Sequence, residues 1–88
     1  MDEKQQSNKG YHLREIPKGV LGEFSKIKEE FTELEDAHEQ DSKVLEICEL
    51  TDLIGAIRYY AGNKFNLSLE DLIRFSMQTE QAFKNGKR

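Results

Sequence analysis

Residues 47–57 read ICELTDLIGAI, an apolar run interrupted by only two charges, Glu49 and Asp52. At about 100° per residue in a helix, this i, i+3 spacing puts both carboxylates on one face. A carboxylate in an apolar environment loses hydration free energy unless a cation or a hydrogen-bond donor compensates. The stretch therefore predicts a largely buried helix whose acidic pair requires a positive partner, and a metal ion is the obvious one.

The helix around this stretch is predicted to run from about Lys43 to Ala61. Residues 40–42 supply an N-cap, and Gly62 and Asn63 tolerate the left-handed conformation that ends helices. Its apolar residues occupy two nearly opposite faces, Val44, Ile47, Cys48, Thr51, Ile54 and Gly55 on one, and Leu50, Leu53, Ile57 and Tyr60 on the other. Because one neighbouring helix cannot cover both faces of a helix in so short a chain, the pattern predicts a homo-oligomer.

A first helix is predicted from about Val20 to Glu39, where apolar residues recur at intervals of three and four. The short turn after it makes the two helices antiparallel. Glu30 and Glu33 lie on the flank of its apolar face, whereas Glu29 and Glu35 are interpreted as solvated charges. The apolar arc comprises Phe24, Ile27, Phe31 and Leu34.

A third helix is predicted from Ser68, which with Asp71 resembles a capping box, to about Lys84. Its predicted buried stripe comprises Leu69, Leu72, Ile73, Ser76 and Phe83. The fold class is therefore all-α, an antiparallel helical hairpin plus a third helix, completed into a helical bundle by homo-oligomerisation.

The N-terminal part is predicted to lie outside this bundle. Residues 1–10 are polar without a period and are interpreted as a disordered arm, and residues 11–19 contain Pro17 and form an extended lead-in. The chain thus divides into residues 1–19 and an all-α domain of residues 20–88. In the lead-in, His12, Arg14 and Lys18 either cover the core edge or reach a ligand.

Composition limits the classes of function. A net charge of −4 argues against a protein that grips a phosphate backbone, so no nucleic-acid partner is expected. The single cysteine, Cys48, is predicted to be a reduced core residue of a cytoplasmic protein. No stretch approaches the roughly 20 apolar residues of a membrane helix, and the N-terminus lacks the apolar region of a signal peptide. No membrane partner is expected.

Two acidic pairs remain, Glu30 with Glu33 and Glu49 with Asp52, each at i, i+3 on successive helices. An antiparallel hairpin can bring all four carboxylates together. Oxygen ligands alone suit a hard divalent cation, Mg²⁺ or Mn²⁺, which keeps several waters and bridges to substrate phosphates. Zinc would want nitrogen or sulfur ligands.

These residues resemble the all-α nucleoside triphosphate pyrophosphohydrolases, specifically the MazG-like group, whose pattern is EExxE, a spacer, then ExxD. Here the two halves are residues 29–33, EEFTE, and residues 49–52, ELTD, and the resemblance extends from about Val20 to Phe83. It implies that the four acids bind Mg²⁺ as the catalytic residues. Water would attack the α-phosphate of a nucleoside triphosphate and release a monophosphate and pyrophosphate. It also implies a homodimer or homotetramer.

The chain departs from this family near its C-terminus. Members often carry a lysine just before an aromatic residue at the end of the third helix, and here Ala82 precedes Phe83. The positive charges that follow either complement the helix C-terminus or reach an anionic ligand. The candidates for binding substrate phosphates are therefore Lys84, Lys87, Arg88, Arg14 and Lys18.

Two alternative functions stay open at the level of sequence. Glu35 and His38 supply one ExxH motif of a di-iron carboxylate protein, a fold that requires two such motifs and four helices. A non-enzymatic helical dimerisation or regulatory module would instead use its acidic pairs to answer basic residues of a partner. The sequence does not decide whether one of the four acids, or Glu29 or Glu46 nearby, takes the proton from water.

Overall fold

The computed structural model describes residues 10–86, which fold into three α-helices, and these residues include no strand. Helix α1 spans Phe24–Glu39, α2 spans Lys43–Phe65 and α3 spans Leu69–Lys84. The predicted all-α class is confirmed. Apart from Gly10, the predicted disordered arm lies outside the described residues. Within residues 10–86, no helix is both long and apolar enough to span a bilayer.

Helices α1 and α2 form the predicted antiparallel hairpin. The chain reverses within residues 40–42, and Ser42 caps α2 by accepting a hydrogen bond from the Leu45 N–H at 3.3 Å. At the open end of the hairpin the rings of Phe24 and Tyr60 meet edge to face, with centroids 5.8 Å apart. The predicted turn and N-cap are confirmed.

The start of α1 differs from the prediction. The helix begins at Phe24 rather than Val20, because Gly22 has a φ of +94° and no α-helix can continue through that conformation. The Gly22 carbonyl accepts a hydrogen bond from Nδ2 of Asn63 at 3.0 Å, which ties this turn to α2.

The end of α2 also differs. Gly62 and Asn63 lie inside the helix rather than after it, and Asn66 with a φ of +56° takes the left-handed C-cap position. The predicted start of α3 is confirmed by a capping box. Ser68 Oγ accepts from the Asp71 N–H at 3.0 Å, and Asp71 Oδ2 accepts from the Ser68 N–H at 3.0 Å.

Apolar packing is where the structure departs most from the prediction. In the described residues the buried apolar side chains are Ile16, Ala37, Ala56 and Ala61. The predicted arc of α1 is only partly covered, since Phe24 and Phe31 are exposed. No residue of α3 is fully buried, so the predicted burial of its stripe is not found within one chain. That stripe has Leu69 and Leu72 half-buried and Ile73, Ser76 and Phe83 exposed.

The outer face of α2 is likewise open to solvent. Val44 is 71% exposed, Ile47 is 55% exposed, and Ile54 is exposed as well. Cys48 shares this exposure, so its predicted place in the core is wrong. The radius of gyration, 15.6 Å, exceeds the about 12 Å of a compact domain of this length. We call this outer face of α2 together with α3 the apolar surface.

Candidate metal centre

Residues 11–19, which we call the strap, run without helix along α1, as predicted for the lead-in. The Leu13 N–H donates to both oxygens of Asp36 at 3.1 and 2.8 Å, and Gln40 Nε2 donates to Oδ1 at 2.7 Å. Burial alone would raise the pKa of the fully buried Asp36, but these donors and nearby positive groups lower it. An ionised Asp36 therefore anchors one end of the strap.

Glu29 anchors the other end. Its Oε1 accepts from the Gly19 N–H at 2.8 Å and from Lys26 Nζ at 3.1 Å, and Lys18 Nζ lies 3.7 Å from Oε2. Burial opposes ionisation, yet these donors lower the pKa of Glu29. The interpretation of Glu29 as a solvated charge is wrong, because only 4% of it is exposed. Glu35 is exposed, as predicted.

The four acids of the two predicted pairs meet between the helices. Glu30 and Glu33 of α1 and Glu49 and Asp52 of α2 each offer a carboxylate oxygen, and the four oxygens lie within 4.8 Å of one another. Glu30 and Glu49 are buried, Glu33 is half-buried and Asp52 is exposed. We call these four residues the acidic cluster. One side of the cluster is buried, and Asp52 opens the other side to solvent.

The acidic cluster is short of positive charge. Two carboxylates at such distances repel by about 3 kcal/mol at an effective dielectric of 20. Burial and the neighbouring Glu30 and Glu49 raise the pKa of Glu33 to about 8. Oε1 of Glu30 and Oε1 of Glu49 are buried and have no hydrogen-bond partner among the described residues. Such orphaned oxygens are uncommon in folded proteins and call for a cation or a donor.

Two residues at the cluster were missed by sequence reasoning. Lys26 Nζ lies 3.0 Å from Oε2 of Glu30, a pairing that its i, i+4 spacing could have indicated. The Tyr11 hydroxyl donates to Oε2 of Glu49 at 2.5 Å, and this hydrogen bond, with burial, raises the pKa of Tyr11. Nothing in the sequence places Tyr11 there. Both contacts use only one oxygen of each carboxylate, so each orphaned oxygen remains.

The donor set of the acidic cluster fits a hard divalent cation. All four ligand atoms are carboxylate oxygens, which suit Mg²⁺ or Mn²⁺, and the exposed Asp52 leaves an open side for waters and phosphate oxygens. The two orphaned oxygens are the observation that supports a cation, since a fully satisfied carboxylate network would not need one.

A nitrogen atom that could bind a metal lies at the edge of the acidic cluster. His12, Glu33 and Glu49 form a second set of potential ligand atoms within 4.8 Å of one another. The strap brings His12 to this position between its anchored ends. Of the two roles that the sequence leaves open for His12, covering the core edge or reaching a ligand, this position is compatible with the second.

Three of the five predicted phosphate ligands lie beside acids. Arg14 bonds Glu39, and its Nη1 lies 3.9 Å from Asp36 Oδ2. Lys18 faces Glu29, as described above, and Lys84 Nζ lies 2.9 Å from Glu80 Oε2. Lys87 and Arg88 are outside the described residues. A role for these five residues in phosphate binding stays a prediction.

The proposed half of a di-iron motif does not join a metal-ligand cluster in residues 10–86. His38 is exposed, and its Nδ1 lies 3.1 Å from Glu46 Oε2. Glu35 is exposed on α1. Glu46 is thus committed to His38 rather than to the acidic cluster.

A separate cavity of about 640 Å³ opens between the end of α2 and the start of α3. Its lining includes Leu21, Arg58, Tyr59 and Asn63, and none of the four acids.

Comparisons with models of known protein families, with curated proteins and with solved structures find no match for this chain.

Proposed function

We propose that this protein is a Mg²⁺-dependent nucleoside triphosphate pyrophosphohydrolase that forms a nucleoside monophosphate and pyrophosphate. The observation that carries the proposal is the acidic cluster, in which four carboxylates converge and two buried oxygens have no partner. The EExxE and ExxD pattern, with its resemblance to MazG-like enzymes, supports the choice of reaction.

The residues of the acidic cluster would bind the cation on which this reaction depends. When bound, Mg²⁺ or Mn²⁺ neutralises phosphate oxygens and orients the attacking water. Glu30, Glu33 and Glu49 would hold the cation from the buried side, and Asp52 would hold it from the solvent edge. Tyr11 fixes one oxygen of Glu49 and thereby leaves the other oxygen for the ligand role.

In this reaction one bond forms and one bond breaks at the α-phosphorus. The water oxygen bonds to the α-phosphorus, the bond from that phosphorus to the bridging oxygen breaks, and pyrophosphate leaves. The proton of the water passes to a carboxylate of the acidic cluster. Glu29 and Glu46 are poor acceptors of this proton. The carboxylate of Glu29 already accepts a hydrogen bond from the Gly19 N–H, and that of Glu46 lies against His38.

We further propose that a second copy of the chain covers the apolar surface, giving a homodimer or homotetramer. Sixteen large hydrophobic side chains are exposed in the described residues, and ten of them lie on α2 and α3, which is more exposed apolar area than a small monomer usually has. A hydrophobic interface between identical chains would bury them. Sedimentation at micromolar concentration tests this, and a stable folded monomer would contradict it.

The direct test of function is a panel of canonical and modified nucleoside triphosphates with Mg²⁺, analysed by chromatography. The expected products are monophosphate and pyrophosphate in equal amounts. In H₂¹⁸O the label should enter the monophosphate, because the attack is at the α-phosphorus. Release of orthophosphate and a diphosphate would show that the assigned reaction is wrong.

The exposed apolar surface also favours a second candidate, a non-enzymatic helical dimerisation module. In that case the ion pair of Lys26 with Glu30 would serve the fold alone. Mg²⁺ discriminates the two candidates, since a module of this kind should show no change in melting temperature with millimolar Mg²⁺ and no hydrolysis of any triphosphate.

A further inference from the structure

The imidazole of His12 approaches the acidic cluster from the strap, outside residues 29–33 and 49–52, which carry the EExxE and ExxD pattern. Its Nε2 lies 3.9 Å from Oε2 of Glu33, and only 10% of its side chain is exposed. With Glu49 these residues form a set of three ligand atoms within 4.8 Å of one another. One nitrogen and two oxygens therefore converge where the sequence pattern supplies only oxygens.

The separations are close to those around a shared metal. Two ligand atoms at about 2.1 Å from one ion lie about 3.0 Å apart at a right angle and about 3.4 Å apart at the tetrahedral angle. Nε2 of His12 and Oε2 of Glu33 are 3.9 Å apart, so a small rotation of either side chain would bring both atoms to a shared ion. Glu49 is fully buried and its Oε1 has no hydrogen-bond partner among residues 10–86, so it has a ligand atom to offer.

The other ring nitrogen of His12 lies beside a carboxylate. Nδ1 is 3.5 Å from Oδ1 of Asp36, and it is buried with no hydrogen-bond partner among residues 10–86. Metal-binding histidines commonly present their second nitrogen to a carboxylate, which fixes the ring and leaves the first nitrogen for the metal. Asp36 is itself fixed by Leu13 and Gln40, so a small rotation of the His12 ring would bring Nδ1–H into a hydrogen bond with an acceptor that is already in place.

We propose that His12, Glu33 and Glu49 form a mixed nitrogen and oxygen site for a divalent transition metal such as Fe²⁺, Co²⁺ or Zn²⁺. Imidazole favours these ions over Mg²⁺, which prefers oxygen ligands alone. The site shares Glu33 and Glu49 with the proposed catalytic Mg²⁺ ligands, and it rests on the proposed function only in that respect. The strap thus extends the metal preference of the cluster beyond hard cations.

The first test compares Co²⁺ and Mg²⁺ binding by calorimetry, without nucleotide, on protein that carries no histidine tag. The chain has only two histidines, so His38→Gln is a matched control for His12→Gln. We expect the His12 variant to lose about tenfold or more in Co²⁺ affinity and to keep Mg²⁺ affinity within about twofold. The His38 variant should bind both metals as wild type does. An equal loss for both metals in His12→Gln would overturn the proposal, since it would mean a structural role.

A spectroscopic test identifies the ligand directly. In the Co²⁺ protein, a coordinated imidazole gives a strongly shifted, exchangeable N–H proton signal in the NMR spectrum. That signal should be present in wild type and in His38→Gln and absent in His12→Gln. Its absence from wild type, or its persistence in His12→Gln, would overturn the proposal.

If His12→Gln fails to fold, wild-type protein with ¹⁵N-labelled histidine answers the question. Substoichiometric Co²⁺ should perturb the ring nitrogens of His12 before those of His38, and the reverse order would overturn the proposal. Hydrolysis is not a readout in these tests. A wild-type protein that binds Co²⁺ through His12 but hydrolyses no triphosphate would contradict the proposed function and leave the mixed site supported.

Discussion

The two sides of helix α2 differ in what they bury and what they expose. Toward α1 and the strap, the fully buried side chains of largest volume are the acids Glu49 and Asp36. On the outer side, Val44 and Ile47 are largely exposed. Soluble domains usually show the reverse arrangement. The inner side leaves two carboxylate oxygens without a partner and the outer side exposes apolar side chains among the described residues, which is why we propose a cation for the first and a second copy of the chain for the other.

The inner side itself contains two kinds of buried acid. Glu29 and Asp36 receive backbone N–H and side-chain donors that hold the strap, and their pKa values are lowered. Glu30 and Glu49 each keep an orphaned oxygen. The first kind stabilises the fold of the chain, and the second kind is available to a ligand.

The largest expected effect comes from neutralising half of the acidic cluster. The double variant Glu49→Gln with Asp52→Asn should lower Mg²⁺-dependent hydrolysis by more than about 100-fold, because even outer-shell substitutions at metal sites cost about 10–100-fold. The metal-free protein should be as stable as wild type or more so, since two mutually repelling charges are removed. Steady-state assays and thermal melts measure the two effects.

A control with exposed acids keeps this prediction specific. Glu35→Gln with Glu70→Gln removes the same charge from exposed positions and should change neither hydrolysis nor the Mg²⁺-dependent rise in melting temperature. Hydrolysis at the wild-type rate in the Glu49 and Asp52 variant would mean that the acidic cluster does not hold the catalytic cation.

The next effect concerns the outer side of the comparison. Ile47→Asp puts a charge on the apolar surface and should weaken self-association by about 2 kcal/mol or more, which is about 30-fold in the dissociation constant. Analytical ultracentrifugation over a dilution series measures it. Lys28→Asp, at an exposed position on α1, is the control and should leave the assembly unchanged. Equal dissociation constants for wild type and Ile47→Asp would place any interface elsewhere.

A smaller effect distinguishes the buried acids that hold the strap, Glu29 and Asp36, from the acids of the acidic cluster. Glu29→Gln weakens the hold on the Gly19 N–H and on Lys26, so we expect the free energy of unfolding to fall by about 1–3 kcal/mol in urea titrations. Because Glu29 is not part of the acidic cluster, the Mg²⁺-induced rise in melting temperature should persist. A variant with wild-type stability and no response to Mg²⁺ would reverse the roles assigned to the two kinds of acid.

Local signals in the sequence were sufficient for most of the fold. The helical periodicity, the Ser42 N-cap and the Ser68 capping box act within a few residues of chain, and the structure confirms each. The end of α2 was misplaced because Gly62 and Asn63 are only permissive for a left-handed turn. The residue that adopts it, Asn66, lies one turn later.

The candidate site was predictable only in part, for a related reason. The spacing of the acids within each helix, with an antiparallel turn, was enough to bring the acidic cluster together. The partners of buried acids come from the strap, whose course has no periodic signal. Tyr11, His12 and Gly19 reach their acids through contacts distant in sequence, so the sequence alone does not distinguish Glu29 from a solvated charge.

The smallest expected effect is a pH dependence that separates the two kinds of acid in one measurement. The pKa of Glu33 is raised from 4.5 to about 8, so between these values the folded, metal-free protein binds more protons than the unfolded chain. Its free energy of unfolding therefore falls as pH rises through this window. The lowered pKa values of Glu29 and Asp36 act in the opposite direction and at acidic pH, where their contribution is lost as pH falls.

Near neutral pH the contribution of Glu33 therefore dominates among these acids, and the melting temperature of metal-free protein should decline as pH rises from about 6 to about 8. The prediction concerns the difference in this pH dependence between wild type and Glu33→Gln. His12 faces Glu33 and is present in both proteins, so the comparison isolates the contribution of the Glu33 carboxyl group. Mg²⁺ must displace the proton of Glu33, so its stabilising effect should grow with pH, and calorimetry in buffers of different ionisation enthalpy should detect proton release. If the melting temperatures of wild type and Glu33→Gln depend on pH in the same way, Glu33 is already ionised at neutral pH and its pKa is not raised in the folded protein.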